Sequence, residues 1–269
     1  MKYFWIVLIT SFLTAVTQIG GLIYLLCVVV LRYGKYFARY HRILRWGLRG
    51  SVSMAVYIII TVVVVPPLAG YFGRIALPVW GQGTVRPLSL FTPLCNRHYV
   101  DPRLYRIVED VATAHPQLPI AYLDANFPFW EGFPLLPHLS HDDGRKIDFA
   151  LQYRYPDGRA AAWRAAAPLG YGAYVAPRSN ELSQTARCKR EGYWQYDFTK
   201  WLAPFASYSN LRFDETASRT LIAAFANHHG VGKLFLEPHL KRRLNLQQRK
   251  IRFHGCQAVR HDDHLHVQL

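Results

Sequence analysis

The chain has 269 residues, 51% of them hydrophobic and only 18% charged, with a formal net charge of +15. A soluble domain usually carries about a quarter charged residues. The shortfall is local: residues 1–70 hold no Asp or Glu and seven basic residues (Lys2, Arg32, Lys35, Arg39, Arg42, Arg45 and Arg49), while the rest hold 25 basic and 17 acidic residues. The front excludes a purely soluble cytosolic protein, and the back, with no long apolar run, excludes a many-helix transporter.

In chain order, Tyr3–Leu31 and Gly50–Gly73 are two uncharged runs. About 20 apolar residues cross a bilayer as a helix, so each run predicts one transmembrane helix, at about 3–31 and 50–71. The loop 32–49 between them is rich in Arg, Lys and aromatics. Basic loops stay in the cytoplasm, so this reading places the N-terminus outside, the loop inside and everything after residue 73 outside. Residues 1–73 are thus expected to anchor the chain in membrane lipid. Residues 74–100, rich in Gly and Pro, read as a linker, and 101–269 as one domain of about 170 residues, long enough for a core.

Asp101-Pro102 is a cap followed by a first-turn proline, and Leu104, Ile107, Val108 and Val111 follow at helical spacing, which predicts a helix over 102–114. Strands are expected at 119–124, 147–155 and 159–164, with a turn at Pro156-Asp157-Gly158. Residues 165–213 give weak signals. A helix from Asp214 to near Gly230 turns Leu221, Ile222 and Phe225 to one face. A short strand at 234–236, a brief basic helix after Pro238 and a closing strand HLHVQL complete an α+β domain whose strands are expected to run antiparallel. Cys95, Cys188 and Cys256 allow one disulfide whose pairing spacing does not settle, and the lack of CxxC excludes a cysteine zinc cluster.

Eleven of the twelve histidines come after residue 90, and two groups stand out. The first is His138-Leu-Ser-His141-Asp-Asp-Gly144-Arg-Lys-Ile-Asp148. The second is His261-Asp-Asp-His264-Leu-His266. Alternation along a strand points His264 and His266 to one side. A turn at Gly144 brings His141 and Asp148 together. Two imidazoles and a carboxylate leave a fourth position on zinc for water, so His141, Asp148 and His266 are the expected metal ligands.

These segments resemble the zinc motifs of the LAS metallopeptidases, the superfamily of lysostaphin-type enzymes, D-Ala-D-Ala metallopeptidases and the sonic hedgehog domain. It pairs H-x(6)-D with a later H-x-H. The likeness is greatest to the penicillin-insensitive murein endopeptidases, which read HxSHxxGxxVDI and HxxHxHVRL where this chain reads HLSHDDGRKIDFAL and HDDHLHVQL. GKLFLEPHLKRRL at 232–244 also resembles the strand and short helix before their last motif. The resemblance covers 119–155 and 215–269; Gln268 stands where an Arg is usual, and Arg145-Lys146 replaces a less basic pair.

The resemblance implies a small antiparallel-sheet, hedgehog-like domain with Zn2+ on His141, Asp148 and His266. It implies His264 as the catalytic base or transition-state stabiliser, with Asp263 as the rival base and His261 and His138 lining the site. The expected activity is metal-assisted hydrolysis of D-alanyl amide bonds in peptidoglycan peptides on the outer side of a bacterial cytoplasmic membrane. A D,D-carboxypeptidase on stem peptides and a non-catalytic metal-binding scaffold are the alternatives. Nucleic acid is not an expected partner, because the domain lies outside; the oligomeric state stays open. Asp142 and Asp143 are candidates to orient zinc-bound histidines, Trp130, Tyr193, Trp194, Tyr196 and Trp201 to line a substrate groove, and Lys241-Arg242-Arg243 to meet anionic polymers or lipid head groups. His228-His229 reads as structural.

Overall fold

The first apolar run does not form one helix. The computed structural model describes residues 2–81, 83–202 and 210–269, and in it the run is two helices, Lys2–Thr17 and Gly20–Tyr33, joined by a tight turn. Gln18 takes φ 67° at the break. A Cβ on Gly20 would lie 2.5 Å from Thr17 Oγ1, and one on Gly21 would lie 2.0 Å from Thr14 Oγ1 and 2.2 Å from the Thr10 carbonyl, so only glycine lets the second arm fold back this closely. Arg32 sits over the Tyr3 ring at 6.0 Å, which makes the arms an antiparallel hairpin and puts the start of the first arm at the same end as the basic loop. At 1.5 Å per residue, arms of 16 and 14 residues reach roughly 24 and 21 Å, short of a hydrocarbon core of about 30 Å. The expected span over 3–31 is therefore corrected to a helical hairpin. Hydropathy measures the length of an apolar run and carries no information about its direction.

The second run is helical, but its helix begins at Arg42 rather than near Gly50, so residues 42–49 of the expected loop belong to it. Arg42–Tyr71 is one continuous helical rod of 30 residues, long and apolar enough to cross a membrane. A π-helical stretch, Ile60–Val64, leads into Val65–Tyr71, so Pro66 and Pro67 sit at the start of a new α-helical segment, where a missing N–H costs little.

Among the described residues ten short strands come after the rod: β1 (Ile75–Ala76), β2 (Val85–Pro87), β3 (Tyr99–Val100), β4 (Ile120–Tyr122), β5 (Lys146–Ala150), β6 (Tyr153–Arg154), β7 (Arg212–Phe213), β8 (Lys233–Phe235), β9 (Ile251–Arg252) and β10 (His264–Gln268). Six of them form one sheet in the order β2-β4-β5-β10-β8-β9. The four central strands are antiparallel as expected, whereas both edge strands, β2 on β4 and β9 on β8, pair in parallel. The segment 74–100 is more than a linker, since it supplies edge strand β2 and the β1–β3 pair. The strand expected at 159–164 is only an isolated bridge between Arg154 and Ala160; β6 pairs with β7 instead. Of the weakly signalled 165–213, residues 203–209 lie outside the described residues.

Two helices cover one face of the sheet. Pro102–Ala114 starts where the Asp101 side chain accepts from the Arg103 N–H, and Glu215–Asn227 starts where Asp214 accepts from the Ala217 N–H. They bury Leu104, Ile107, Val108 and Val111, and Leu221, Ile222 and Phe225, in one cluster with Ile147, Phe149, Leu265 and Val267 of β5 and β10. Phe149 and Phe225 stack at 4.5 Å. Because side chains alternate along a strand, Asp148 of β5 and His264 and His266 of β10 face away from this core.

Cys188 and Cys256 form a disulfide across 68 residues of sequence, and Cys27 and Cys95 are free and buried. Closing a loop of that length removes denatured-chain entropy worth about 4 kcal/mol. The Cys188→Ser, Cys256→Ser double variant should show that loss in denaturant unfolding, and reductant should lower the stability of the unsubstituted chain while leaving the variant unchanged.

Candidate metal centre

Strand register builds the centre. On neighbouring strands His266 pairs with Asp148 and His264 with Ala150. Asp148, His264 and His266 therefore share the face away from the core. His141 arrives from the loop before β5. Gly144 turns that loop with φ 80°, its N–H donates to Asn126 Oδ1 at 3.0 Å, and a Cβ there would lie 2.4 Å from the buried Arg74 guanidinium. Gly144→Ala should therefore cost about 1–2 kcal/mol in thermal unfolding through backbone conformation alone, and weaken metal affinity by displacing His141.

Three ligand-type atoms converge. His141 Nε2 lies 3.3 Å from Asp148 Oδ1 and 3.2 Å from His266 Nδ1, and His266 Nδ1 lies 2.8 Å from Asp148 Oδ1. His141 Nδ1 is 2.7 Å from the Ala125 carbonyl. A carbonyl only accepts, so Nδ1 carries a proton, and it is Nε2 that faces the cluster as the atom available to a metal. Ligands about 2.0–2.1 Å from a tetrahedral zinc stand roughly 3.3–3.4 Å apart, which the two His141 separations match, while the 2.8 Å between His266 and Asp148 is a hydrogen bond that an ion would open. The donor set and its spacing fit a metal ion. His138, His141 and Asp148 likewise offer atoms within 4.8 Å of one another and could hold a metal ion, so His141 and Asp148 are common to both triplets.

The second oxygen of Asp148 is also engaged. His138 Nδ1 lies 2.8 Å from Oδ2, the Tyr171 hydroxyl donates to it at 2.8 Å, and His264 Nε2 is 3.7 Å away. Burial alone would raise the Asp148 carboxyl, but His141, His264 and the hydrogen bond from His138 hold it well below the usual carboxylate range. The ligand atoms are covered: His141, Asp148, His264 and His266 are at most 3% exposed.

His264 is oriented from behind. Its Nδ1 is 2.5 Å from Asp263 Oδ1, and Asp263 Oδ2 accepts the Gly172 N–H at 2.6 Å. Both oxygens of Asp263 are thus committed, and Nε2 of His264 points to the cluster. Burial disfavours a charge on His264, yet the carboxylates of Asp148 and Asp263 outweigh it and raise its pKa to about 9. His261 packs at 4.9 Å from the His264 ring and 5.9 Å from that of His266. Burial and those two neighbours hold it neutral, well below the ordinary histidine value. Burial likewise lowers His266 to about 4 despite its bond to Asp148.

Tyr171 is a site residue that the motifs do not reveal. It buttresses Asp148 and accepts the Asp124 N–H at 3.1 Å, with its ring against His138 and His264. Gly170 and Gly172 flank it, both at positive φ; a Cβ on Gly170 would strike Leu123 at 2.4 Å. That Gly-Tyr-Gly triplet is its one sequence signal.

Other expectations resolve differently. Asp142 and Asp143 pair with Lys146 at 3.4 and 2.8 Å, and the acceptor that orients His141 is the Ala125 carbonyl instead. Tyr196 is fully buried and donates to Glu237, so it is core, while Trp130, Trp194 and Trp201 are exposed. Arg243 is bound to Glu181 and Lys241 to the Ile251 carbonyl, leaving Arg242 as the exposed member of the basic run. His228 bonds Asp110 and the Gly230 N–H, a structural role as expected.

No protein-family model matches the chain, and no curated protein matches it.

Proposed function

We propose that this chain is a membrane-anchored, zinc-dependent peptidase that hydrolyses D-alanyl amide bonds in peptidoglycan cross-links. The observation that carries this reading is the convergence of His141 Nε2, Asp148 Oδ1 and His266 Nδ1, with His264 held beside them by Asp263. It is the arrangement that the likeness to LAS metallopeptidases implies. The disulfide supports an oxidising, extracytoplasmic location for the domain. The long helix and the basic loop support a bacterial cytoplasmic membrane with that loop inside.

Zinc, when bound, supplies Lewis acidity that activates water near neutral pH and polarises the amide carbonyl. His141, Asp148 and His266 would hold it. His138 and Tyr171 fix the second oxygen of Asp148, so the carboxylate cannot rotate away. Asp263 faces Nδ1 of His264 and its carboxylate favours the charged imidazole, whose Nε2–H would then face the cluster. That N–H would donate to the oxyanion developing on the scissile carbonyl and then pass its proton to the departing nitrogen; one proton of the attacking water would leave to solvent and the other would return to His264 from the new carboxyl group. Asp263 acts through His264 rather than as the base itself.

The full chain with zinc, incubated with isolated sacculi beside His266→Ala, tests the reading by mass spectrometry of the released fragments. Cross-linked dimers converted to monomers by the unsubstituted chain alone are expected. Loss of a terminal D-alanine instead makes it a carboxypeptidase. Bound zinc with unchanged sacculi overturns the peptidase assignment in favour of the scaffold, a reading that the close covering of the cluster favours.

A further inference from the structure

The hairpin stops short, and the domain comes down to meet it. From Leu31, next to the basic loop, the second arm rises over 12 residues to Gly20, roughly 18 Å. A hydrocarbon core of about 30 Å then leaves about 12 Å above the tip. Residues after the long helix fill that space. Asn96 Nδ2 donates to the Thr17 carbonyl at 3.4 Å and to the Tyr57 hydroxyl at 3.2 Å; that hydroxyl donates to the Leu94 carbonyl at 2.5 Å. The Phe129 N–H donates to Gln18 Oε1 at 3.0 Å. Tyr57 lies 14 residues before the rod ends at Tyr71, roughly 21 Å lower. Leu94 and Asn96 therefore sit beside the middle of the apolar rod rather than above it.

The segment at that level has the chemistry of lipid-embedded chain. The short helix Phe91–Leu94 buries Thr92 and Pro93 and turns Leu90, Phe91 and Leu94 outward, 48, 43 and 44% exposed. Ile58, Val62 and Val63 of the rod are exposed likewise. Between Gly50 and Asn96 the only charged residues are Arg74 and Arg86, and Arg86 is turned onto the Trp163 ring. In hydrocarbon every backbone N–H needs an internal partner. Here Phe91 donates to Ser89 Oγ, and Thr92, Leu94, Cys95, Asn96 and Arg97 donate to the carbonyls of Ser89, Leu90, Phe91, Pro93 and Thr92. Pro93 has no N–H to satisfy.

We propose that Leu90, Phe91 and Leu94 form a foot seated among the acyl chains of the outer leaflet, so that the domain is sunk into the membrane rather than tethered above it. The proposal rests on the reading that the Arg42–Tyr71 rod spans the bilayer. It makes lipid a partner of the domain as well as of the helices, and sets the metal centre at the membrane surface.

Nitroxide labels on the full chain, in vesicles of phosphatidylethanolamine and phosphatidylglycerol, test it. Cys27 and Cys95 are first replaced by alanine. Labels are then placed singly at Phe91→Cys, at Leu90→Cys as a second foot position, at Ile58→Cys on the rod and at exposed Trp194→Cys. Collision with oxygen reports lipid, and collision with a water-soluble nickel chelate reports water. The foot labels should match Ile58, with oxygen dominant and the sign of the depth parameter opposite to that at Trp194. Foot labels that match Trp194 while Ile58 stays in lipid overturn the foot and leave the spanning rod intact. Nickel collisions at Ile58 overturn the membrane reading and the foot with it. Foot labels shielded from both reagents show a covering protein surface, such as a second copy of this chain, and also overturn the proposal.

Discussion

Asp148→Asn is expected to abolish both metal retention and hydrolysis. The substitution keeps the shape of a fully buried side chain and removes the charge that three imidazoles and Tyr171 converge upon. Loss of a partner that merely orients a ligand costs 10–100-fold in metal affinity, so loss of the ligand itself should cost at least about 100-fold. Zinc content after dialysis against a chelator measures this directly. The metal-free variant should also be less stable than the metal-free parent, by about 3–5 kcal/mol, because the buried His264 loses a counter-charge and the other imidazoles lose a carboxylate acceptor. Full zinc occupancy in Asp148→Asn, at parental affinity, would contradict the ligand assignment.

The other large effect is at His264. His264→Gln should retain zinc, because His264 Nε2 stands 3.7 Å from Asp148 and outside the tight triplet of ligand atoms. Hydrolysis should fall by about 10²–10⁴, the usual contribution of a positioned proton donor. Asp263→Asn should lose less, since it leaves the imidazole in place and removes the charge that keeps it protonated. Parallel zinc titration and sacculus digestion separate the two roles. Undiminished digestion by His264→Gln would show that proton transfer runs through another group.

The candidate metal centre is legible in the sequence because each of its two motifs is local. Asp148 and His141 are joined by a turn that Gly144 announces, and His264 and His266 obey strand alternation. The sequence does not state that β10 lies beside β5, yet once it does, the register sets His266 opposite Asp148. Tyr171 is not legible, because it reaches Asp148 from a stretch whose order comes from long-range contacts. Residues 74–100 carry the composition of a linker, but a strand of three residues such as β2 has no periodicity to display. The first apolar run misleads for a different reason: Gly20-Gly21 and the threonines at 10, 14 and 17 mark a chain folding back, and they do not alter an average hydropathy.

That fold-back decides a matter of parity. A hairpin that enters and leaves by the same face adds no crossing, so on the proposed reading, in which the Arg42–Tyr71 rod spans the bilayer, the count is one. With two full crossings, both flanking segments would share a compartment. With one, as the proposed reading has it, Tyr3 and the candidate metal centre would stand on opposite sides, and the stretch beyond Tyr71 would be the part translocated. Reporter fusions before Tyr3 and within the exposed 178–182 turn should accordingly give opposite signals.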